Sequence, residues 1–175
     1  LHANSAAACA TRLIDMGIEP FLITSTIQAI IAQRLVRTVC KSCQHPYDPS
    51  PEDLVDFGLT MSDIDPNHNF ARGDGCHECG HSGYRGRLGI FEFLTFDDSI
   101  RDLILEHATT DEIHNQAVRN GMETMRMDGW NKITRGITTF HEVARETPRE
   151  SESSVKNEMK RATNKEMTTQ APVGG

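Results

Sequence analysis

The pattern of apolar and polar positions predicts alternating helices and strands. Residues 1–4 are typical of a strand end that runs into a helix, and the alanine-rich residues 6–16 form that helix. Asn4 or Ser5 can cap it, and Gly17 provides the left-handed conformation at which helices commonly end. Strand-to-helix turns collect phosphates and catalytic side chains in α/β proteins, so the first residues are a candidate site region.

Two short helices and a strand are predicted next. Pro20 suits the first position of one helix, and Thr24 or Ser25 can cap a second helix. The apolar face of that second helix is expected to comprise Ile27, Ile30 and Ile31. Residues 33–39 then mix apolar and polar positions as a strand does.

Two arginines lie within this predicted strand. We expect Leu35, Val36 and Val39 to pack against other elements. Arg34 and Arg37 then point outward, either into solvent or towards a phosphate or an acidic partner. The pattern alone leaves both alternatives open.

Capping signals and apolar runs predict the remaining elements. Ser50, followed by Pro51 and two acidic residues, begins a short helix, and residues 70–72 and 90–94 are predicted strands. The later helical signals are the stripe Ile100, Leu103 and Ile104, the capping box Thr109 and Glu112, residues 125–135, and the capping box Thr139 and Glu142. These signals predict a small C-terminal helical bundle whose core contains the methionines of this region and Trp130.

Four of the five cysteines form two C-x2-C pairs. Cys40 and Cys43 make the first pair, Cys76 and Cys79 make the second, and 32 residues separate the inner cysteines. Two such turns supply the four sulfur ligands that tetrahedral zinc binds at about 2.3 Å each. A site closed by four protein ligands is structural rather than catalytic. We therefore expect a structural zinc ion held by these four cysteines.

Three other interpretations of these cysteines are weaker. A redox motif would require a thioredoxin-like strand-to-helix setting, which neither pair shows. Two disulfides would require an oxidising compartment, yet the sequence has no signal peptide and no transmembrane run. Unliganded core cysteines are the third alternative. His45, His77 and His81 are close enough in sequence to replace a ligand, but with four thiolates available we expect them to lie around the site or on the surface. Cys9 is expected to be a small buried residue.

Charge and composition limit the function. The formal net charge of −7 argues against a general nucleic-acid binder. Residues 148–175 contain five basic and four acidic residues, so residues 1–147 carry −8. Residues 148–175 also offer little apolar surface, and we expect them to be disordered. Because the chain begins at Leu1 within a predicted element, we interpret it as the C-terminal fragment of a longer protein.

Six features of the sequence occur together in one order. They are LHANSA at residues 1–6, DMGIEPF at 15–21, AQRLVR at 32–37, the two cysteine pairs, GYRGR at 83–87 and GITT at 136–139. In this order they resemble the C-terminal third of the secretion-superfamily ATPases. The type II secretion ATPase and the type IV pilus extension ATPase are the most similar kinds, and the resemblance covers residues 1–147.

The resemblance implies an α/β fold that is the end of a RecA-like P-loop ATPase domain, with an inserted zinc-binding module and a C-terminal helical bundle. The implied divisions are residues 1–39 for the end of the ATPase core, 40–89 for the zinc-binding subdomain, 90–147 for a returning strand and the helical subdomain, and 148–175 for the polar tail.

The same resemblance implies a cytoplasmic homo-hexamer that lies at the inner membrane through its partners. Its ATP hydrolysis would push on an inner-membrane platform protein, with cytoplasmic adaptors, to assemble a pilus or pseudopilus. His2, which taken alone is an ordinary turn residue, would lie near the γ-phosphate. Arg34 and Arg37 would lie beside the nucleotide and the subunit interface. ATP and Mg²⁺ are the ligands implied besides Zn²⁺.

A glycine-rich phosphate loop of the form G-x-x-x-x-G-K-[ST] does not occur in this sequence. Phosphoryl transfer has no electrostatic support without a phosphate cradle and a metal ligand, so we expect this chain alone not to hydrolyse ATP. A stand-alone zinc-binding interaction module is the alternative function. A zinc-ribbon nucleic-acid binder is a third hypothesis, and the acidic charge counts against it.

Overall fold

The computed structural model describes residues 3–147. These residues form two compact units, one of residues 3–36 with 87–129 and the other of residues 37–86 with 130–147. His2 lies outside the described residues, and so does the tail at residues 148–175, which the sequence predicted to be disordered.

The described residues contain both helices and strands, consistent with the predicted α/β class. The helices are α1 Ala6–Asp15, α2 Pro20–Thr26, α3 Pro51–Val55, α4 Asp98–Leu105, α5 Thr110–Arg119, α6 Met125–Ile133 and α7 Phe140–Glu146. The strands are β1 Ala29–Val39, β2 Gln44–Pro46, β3 Ala71–Gly73 and β4 Tyr84–Thr95. Within this part of the chain, no helix combines the length and apolar character that crossing a bilayer requires.

The start of the first unit agrees with its sequence signals. Ser5 is the N-cap of α1, and its hydroxyl oxygen accepts the Ala8 amide at 3.1 Å. Gly17 follows with φ +85°, a value that glycine adopts without the steric cost other residues meet. Pro20 is the first residue of α2. The predicted caps and ends of this region are therefore confirmed.

The second helix predicted after Pro20 is wrong. Thr24 lies within α2, and its hydroxyl donates back to the Pro20 carbonyl at 3.1 Å instead of capping a new helix. Strand β1 begins at Ala29, so Ile30 and Ile31 lie on opposite faces of one strand. Short apolar runs fit either period, and the β-branched residues here favour the extended form.

Strands β1 and β4 are hydrogen-bonded neighbours in a two-stranded sheet. Ile90 and Leu94 are buried on one face of β4, whereas Phe91 and Phe93 are exposed on the other. Leu35 of β1 is also 49% exposed. The prediction that Leu35 packs is therefore wrong, because the strand period of two turns it away from the buried face.

The first unit has an apolar core formed by its helices and the inner face of its strands. The buried members are Ala6, Ala7, Ala10, Ile23, Leu94, Phe96, Ile100, Ile104, Ile113 and Ala117. The predicted stripe of α4 thus supplies part of this core. The predicted capping box of α5 is also present, since Thr109 accepts the Glu112 amide and the Glu112 carboxylate accepts the Thr109 amide.

The second unit has an aromatic core. Its rings belong to Phe57, His68, Phe70, Trp130 and Phe140, with centroids 5.4 to 6.1 Å apart. Separations and tilts of this kind are favourable for aromatic pairs. Helix α3, with its predicted Ser50 cap, supplies Phe57 through the turn that follows it. The burial of Trp130 makes the single tryptophan a reporter of this unit.

Candidate functional site

The structure brings Cys40, Cys43, Cys76 and Cys79 together in the second unit. Their four Sγ atoms all lie within 4.8 Å of one another, the one cluster with metal-ligating potential among residues 3–147. The Sγ atoms of Cys40 and Cys76 are 3.9 Å apart, as are those of Cys43 and Cys79. Those of Cys76 and Cys79 are 3.8 Å apart. Sequence spacing alone had singled out these four residues.

Two strand ends and a short pair of antiparallel strands place the cysteines. Cys40 directly follows β1, and Cys43 directly precedes β2. Strands β2 and β3 pair in antiparallel register, with Gln44 opposite Gly73, which brings the first cysteine pair to the segment that leads to Cys76. The long loop between the pairs therefore carries structure of its own, including helix α3, which the Ser50 cap predicted.

Glycines allow the backbone to close around the sulfur cluster. A Cβ atom on Gly73 would lie 2.3 Å from the Gly83 carbonyl oxygen, and one on Gly83 would lie 2.4 Å from that of Gly73. Gly83 also has φ +76°. No side chain fits at either position without backbone movement, so both glycines are required for this approach.

The protein stabilises the thiolates unevenly. The Cys76 amide donates to Cys79 Sγ at 3.1 Å and lowers the pKa of the Cys79 thiol to about 6, with help from the Gly83 amide. Burial instead raises the pKa of the Cys43 thiol to about 12. The protein's own groups therefore stabilise the thiolate form of Cys79 but not that of Cys43. A bound dication would supply the positive charge that a cluster of four thiolates requires.

The geometry of the cluster fits a tetrahedral metal ion. Four bonds of about 2.3 Å from one centre imply sulfur–sulfur separations of about 3.8 Å. The three separations given above are 3.8 and 3.9 Å. Thiolate ligands of this number and spacing suit zinc among the common metals. The four cysteines could therefore hold such an ion.

The neighbouring histidines do not join the sulfur cluster. His45 Nδ1 lies 3.3 Å from an Asp74 carboxylate oxygen, and His77 and His81 are exposed. Cys9 is half-buried in α1, so the prediction of a buried residue is only partly met. A further link between the cysteine turns comes from Glu78, whose carboxylate accepts the Ser42 hydroxyl at 2.9 Å and pairs with Arg85.

Arg34 lies against the start of the chain in the first unit. Its guanidinium donates to the Asn4 side-chain oxygen at 3.0 Å and to the Ala3 carbonyl at 3.4 Å. These two residues directly follow His2, which lies outside the described residues. Arg34 is therefore partly exposed and bound to neutral oxygen atoms of the chain itself, a contact that the strand pattern did not predict.

Arg37 has an acidic partner in the second unit. Its Nη2 donates to Glu142 Oε1 at 2.6 Å, and its backbone amide donates to Glu142 Oε2 at 3.0 Å. The Glu142 hydrogen bond raises the pKa of the Arg37 guanidinium. Burial opposes ionisation of Glu142, but the hydrogen bonds from Arg37 outweigh it and lower the pKa of that carboxyl. The acidic-partner alternative is the one the structure gives.

The burial of two carboxylates, those of Glu142 and Glu92, was not predicted from the sequence. The sequence suggested that Glu142 would complete a capping box with Thr139, but only the Thr139 cap forms, and Glu142 binds Arg37 instead. Glu92 is 4% exposed and accepts the Ala6 amide at 2.8 Å. Its position between Ile90 and Leu94, on the inward side of an alternating strand, was the sequence feature from which its burial could have been predicted.

Comparison with known proteins identifies relatives over most of the chain. The family model described as "Type II/IV secretion system protein" matches residues 1–145. The "Type IV pilus assembly ATPase PilB" of Thermus thermophilus is 44% identical over 147 residues, which are 84% of this chain and 16% of that protein. The "Type II secretion system protein E" of Pseudomonas aeruginosa is 42% identical over 150 residues, 86% of this chain and 29% of that protein.

A third relative gives a similar result. The "Type II secretion system ATPase E" of Vibrio cholerae is 42% identical over 147 residues, 84% of this chain and 28% of that protein. The chain thus spans less than a third of the length of these relatives. The family model, in contrast, covers most of the chain, and the chain therefore belongs to the family of type II/IV secretion system proteins.

Proposed function

We propose that this chain is part of an ATP-driven motor for protein secretion or pilus assembly and that its four cysteines hold a structural zinc ion. The four-sulfur cluster within 4.8 Å, in a chain of this family, is the observation that carries the proposal. The names of the relatives support the motor, since they are ATPases of type II secretion and of type IV pilus assembly.

The cysteines act as a structural rather than a catalytic set. Cys40, Cys43, Cys76 and Cys79 supply all four positions of a tetrahedral zinc ion, which leaves none for water or substrate. When bound, zinc joins two segments that are far apart in sequence and contributes its binding free energy to folding. The chain's own part is to hold the two cysteine pairs at this spacing through the β2–β3 pairing.

Membership of this family also supports a division of the chain into regions with different roles. We assign residues 1–39 to the end of a RecA-like ATPase core, 40–89 to the zinc-binding subdomain and 90–147 to a returning strand and helical subdomain. The complete protein is a homo-hexamer that binds ATP and Mg²⁺. It works in the cytoplasm at the inner membrane, where it meets a platform protein and cytoplasmic adaptors.

His2 and Arg34 are the candidates for the nucleotide side of the motor. Arg34 binds Ala3 and Asn4, and this contact supports a shared role for Arg34 and the histidine just before them. We assign His2 to the γ-phosphate and Arg34 to the nucleotide or subunit interface. Arg37 is engaged by Glu142, which supports a positioning role for that arginine in place of contact with nucleotide.

The test is steady-state ATP hydrolysis by the complete protein that contains this chain. We expect His2→Ala to lower kcat about 100-fold or more, the size typical for loss of a group that handles protons or positions water. The matched control is His107→Asn, an exposed residue in the turn that follows α4, with φ +56°, which asparagine tolerates. Equal kcat for His2→Ala and the control would refute the role of His2.

The alternative of a stand-alone zinc module gives a different result in the same assay. It predicts a protein that binds zinc but shows no ATP hydrolysis with any variant. The present chain alone should also be inactive, because it contains no phosphate-loop motif. Hydrolysis by the complete protein, together with inactivity of this chain, is the outcome that supports the motor.

A further inference from the structure

Two backbone segments, called limbs below, carry cysteines of the candidate metal centre. Both form hydrogen bonds to residues at the start of the same helix, α7. The first limb is the end of β1, which leads into Cys40. The Arg37 amide donates to Glu142 at 3.0 Å, and the Arg37 carbonyl accepts the Thr138 hydroxyl at 2.8 Å. Two residues later, the Val39 amide donates to the Ile137 carbonyl at 2.9 Å. Residues around the start of α7 therefore hold the backbone that immediately precedes Cys40.

The second limb follows Cys79 and begins β4. The Gly83 amide donates to Cys79 Sγ at 3.3 Å, and the Gly83 carbonyl accepts the Cys40 amide at 2.9 Å. The hydroxyl of the next residue, Tyr84, lies 2.9 Å from the Thr139 hydroxyl at the N-cap of α7. The same turn of α7 thus reaches both limbs.

Glu142 is the point at which these contacts meet. Its side chain is fully buried, and its carboxylate binds Arg37 and Arg145. The Arg37 guanidinium lies 4.3 Å from the centroid of the Tyr84 ring, a cation–π contact with the second limb. Glu142 therefore contacts the first limb directly and the second limb through the Arg37 side chain. Removing the carboxylate would leave a partly buried arginine without its partner.

We propose that the first turn of α7 is a clamp that positions both cysteine limbs, with Glu142 as its central positioning residue. The clamp brings Cys40 and Cys79 to metal-binding distance, so metal occupancy and the order of α7 are thermodynamically coupled. Coupling of this kind is reciprocal: a substitution in α7 weakens metal binding, and metal removal loosens α7 by the same free energy. This inference rests on the proposed zinc centre.

The first test is the zinc dissociation constant of the purified 175-residue chain, measured by competition with a chromophoric chelator. We expect Glu142→Gln to raise Kd about tenfold or more, the range found when groups that support metal ligands are removed. The matched control is Glu146→Gln on the same helix, whose carboxylate pairs with Arg145. We expect the control to leave Kd within about twofold of the parent value.

A milder variant covers the case in which Glu142→Gln fails to fold. Tyr84→Phe keeps the ring under Arg37 and removes only the hydroxyl that meets Thr139. It should raise Kd about threefold, less than Glu142→Gln because a single neutral hydrogen bond is lost. A Kd equal to that of the parent in Tyr84→Phe would overturn the clamp, and so would a parent-like Kd in Glu142→Gln if that variant folds.

The reciprocal test is amide hydrogen exchange of α7 before and after zinc is removed with a chelator. Although α7 contributes no cysteine, its amides, such as that of Val143, should exchange faster once zinc is gone. Unchanged exchange in α7 would overturn the coupling while leaving the zinc centre intact. A parent chain that binds no zinc would instead refute the proposed centre and the clamp together.

Discussion

Carboxylates at helix starts hold several segments of the first unit in place. Glu92 accepts the amide of Ala6, the first residue of α1, and Asp97 accepts the Ile100 amide in the first turn of α4. A negative charge at a helix N-terminus is favourable because the unpaired amides there carry partial positive charge. For Asp97, whose pKa is lowered in the folded protein, the ionised form is therefore the one that stabilises the fold.

Asp97 gives a prediction for the dependence of stability on pH. Partial burial opposes its ionisation, but hydrogen bonds from Ser99, Ile100 and Asn120 outweigh this and lower the pKa of the Asp97 carboxyl below 3.8. A carboxyl whose pKa is lower in the folded state stabilises the protein above pH 3.8, and this contribution disappears as the pH falls through the folded-state pKa.

We expect the parent to be more stable than Asp97→Asn by about 0.3–1 kcal/mol at pH 6, because asparagine keeps the cap but lacks the charge. The difference should begin to shrink below pH 3.8 and should vanish once the pH has fallen through the lowered folded-state pKa of Asp97. Urea unfolding followed by far-ultraviolet circular dichroism measures it. Asp102→Asn, an exposed residue beyond the first turn of the same helix, is the control. A difference that stays constant or grows on acidification would contradict the role of the charge.

The chemistry of single residues was predictable only where spacing revealed it. Two C-x2-C pairs identify their four sulfur atoms from sequence, because each turn brings two thiols together locally. The partner of Arg37 was not predictable, since Glu142 lies 105 residues away and the same glutamate fits a capping box. A local pattern therefore gave Glu142 a local role, whereas tertiary packing gave it a distant one.

Among the secondary-structure elements, the antiparallel pair of β2 and β3 and the start of β4 depend on glycine. Gly73 and Gly83 approach so closely that an added Cβ on either would overlap the carbonyl oxygen of the other. Gly80 also has a left-handed backbone, with φ +58°, but open space surrounds its Cα. These two kinds of glycine should respond differently to substitution.

We expect Gly83→Ala to destabilise the second unit and to weaken zinc binding more than Gly80→Ala does. Gly80→Ala should cost about 1–2 kcal/mol, the ordinary penalty of a left-handed conformation. Gly83→Ala carries a similar penalty and must also move backbone atoms next to Cys79. Urea unfolding followed by Trp130 fluorescence measures both variants. Equal losses would show that the close approach of the glycines is unimportant.

Helices were more predictable than the boundary between α2 and β1. Capping residues such as Ser5, Ser50 and Thr109 act through hydrogen bonds within three residues, so sequence alone locates them. Ile30 and Ile31 fit a helix or a strand equally well by spacing, and pairing of β1 with β4 decides between them. That pairing joins residues far apart in sequence, so the spacing of the apolar residues does not reveal it.

At the scale of the whole molecule, the two units have separate cores. The first is built mainly from aliphatic side chains of α1, α2, α4, α5 and β4 together with Phe96, and the second from aromatic rings near the cysteine cluster. Because each unit buries its own core, loss of the metal should affect the unit that contains the cysteines first.

We expect Cys76→Ser to unfold the region of residues 40–79 and to leave α4 and α5 largely formed. Loss of one thiolate lowers metal affinity, and in this region metal binding contributes to folding. Amide hydrogen exchange resolved along the chain measures this, with Cys9→Ser in α1 as the control outside the sulfur cluster. Loss of protection throughout α4 and α5 would contradict independent cores.

The most direct test of the account is the metal content of the purified chain, measured by elemental analysis with a count of reactive thiols before and after chelation. A closed four-cysteine centre should give one zinc ion per chain and four thiols that become reactive only when the metal is removed, besides Cys9. A chain without metal, in which all five thiols react freely from the start, would contradict the proposed zinc centre.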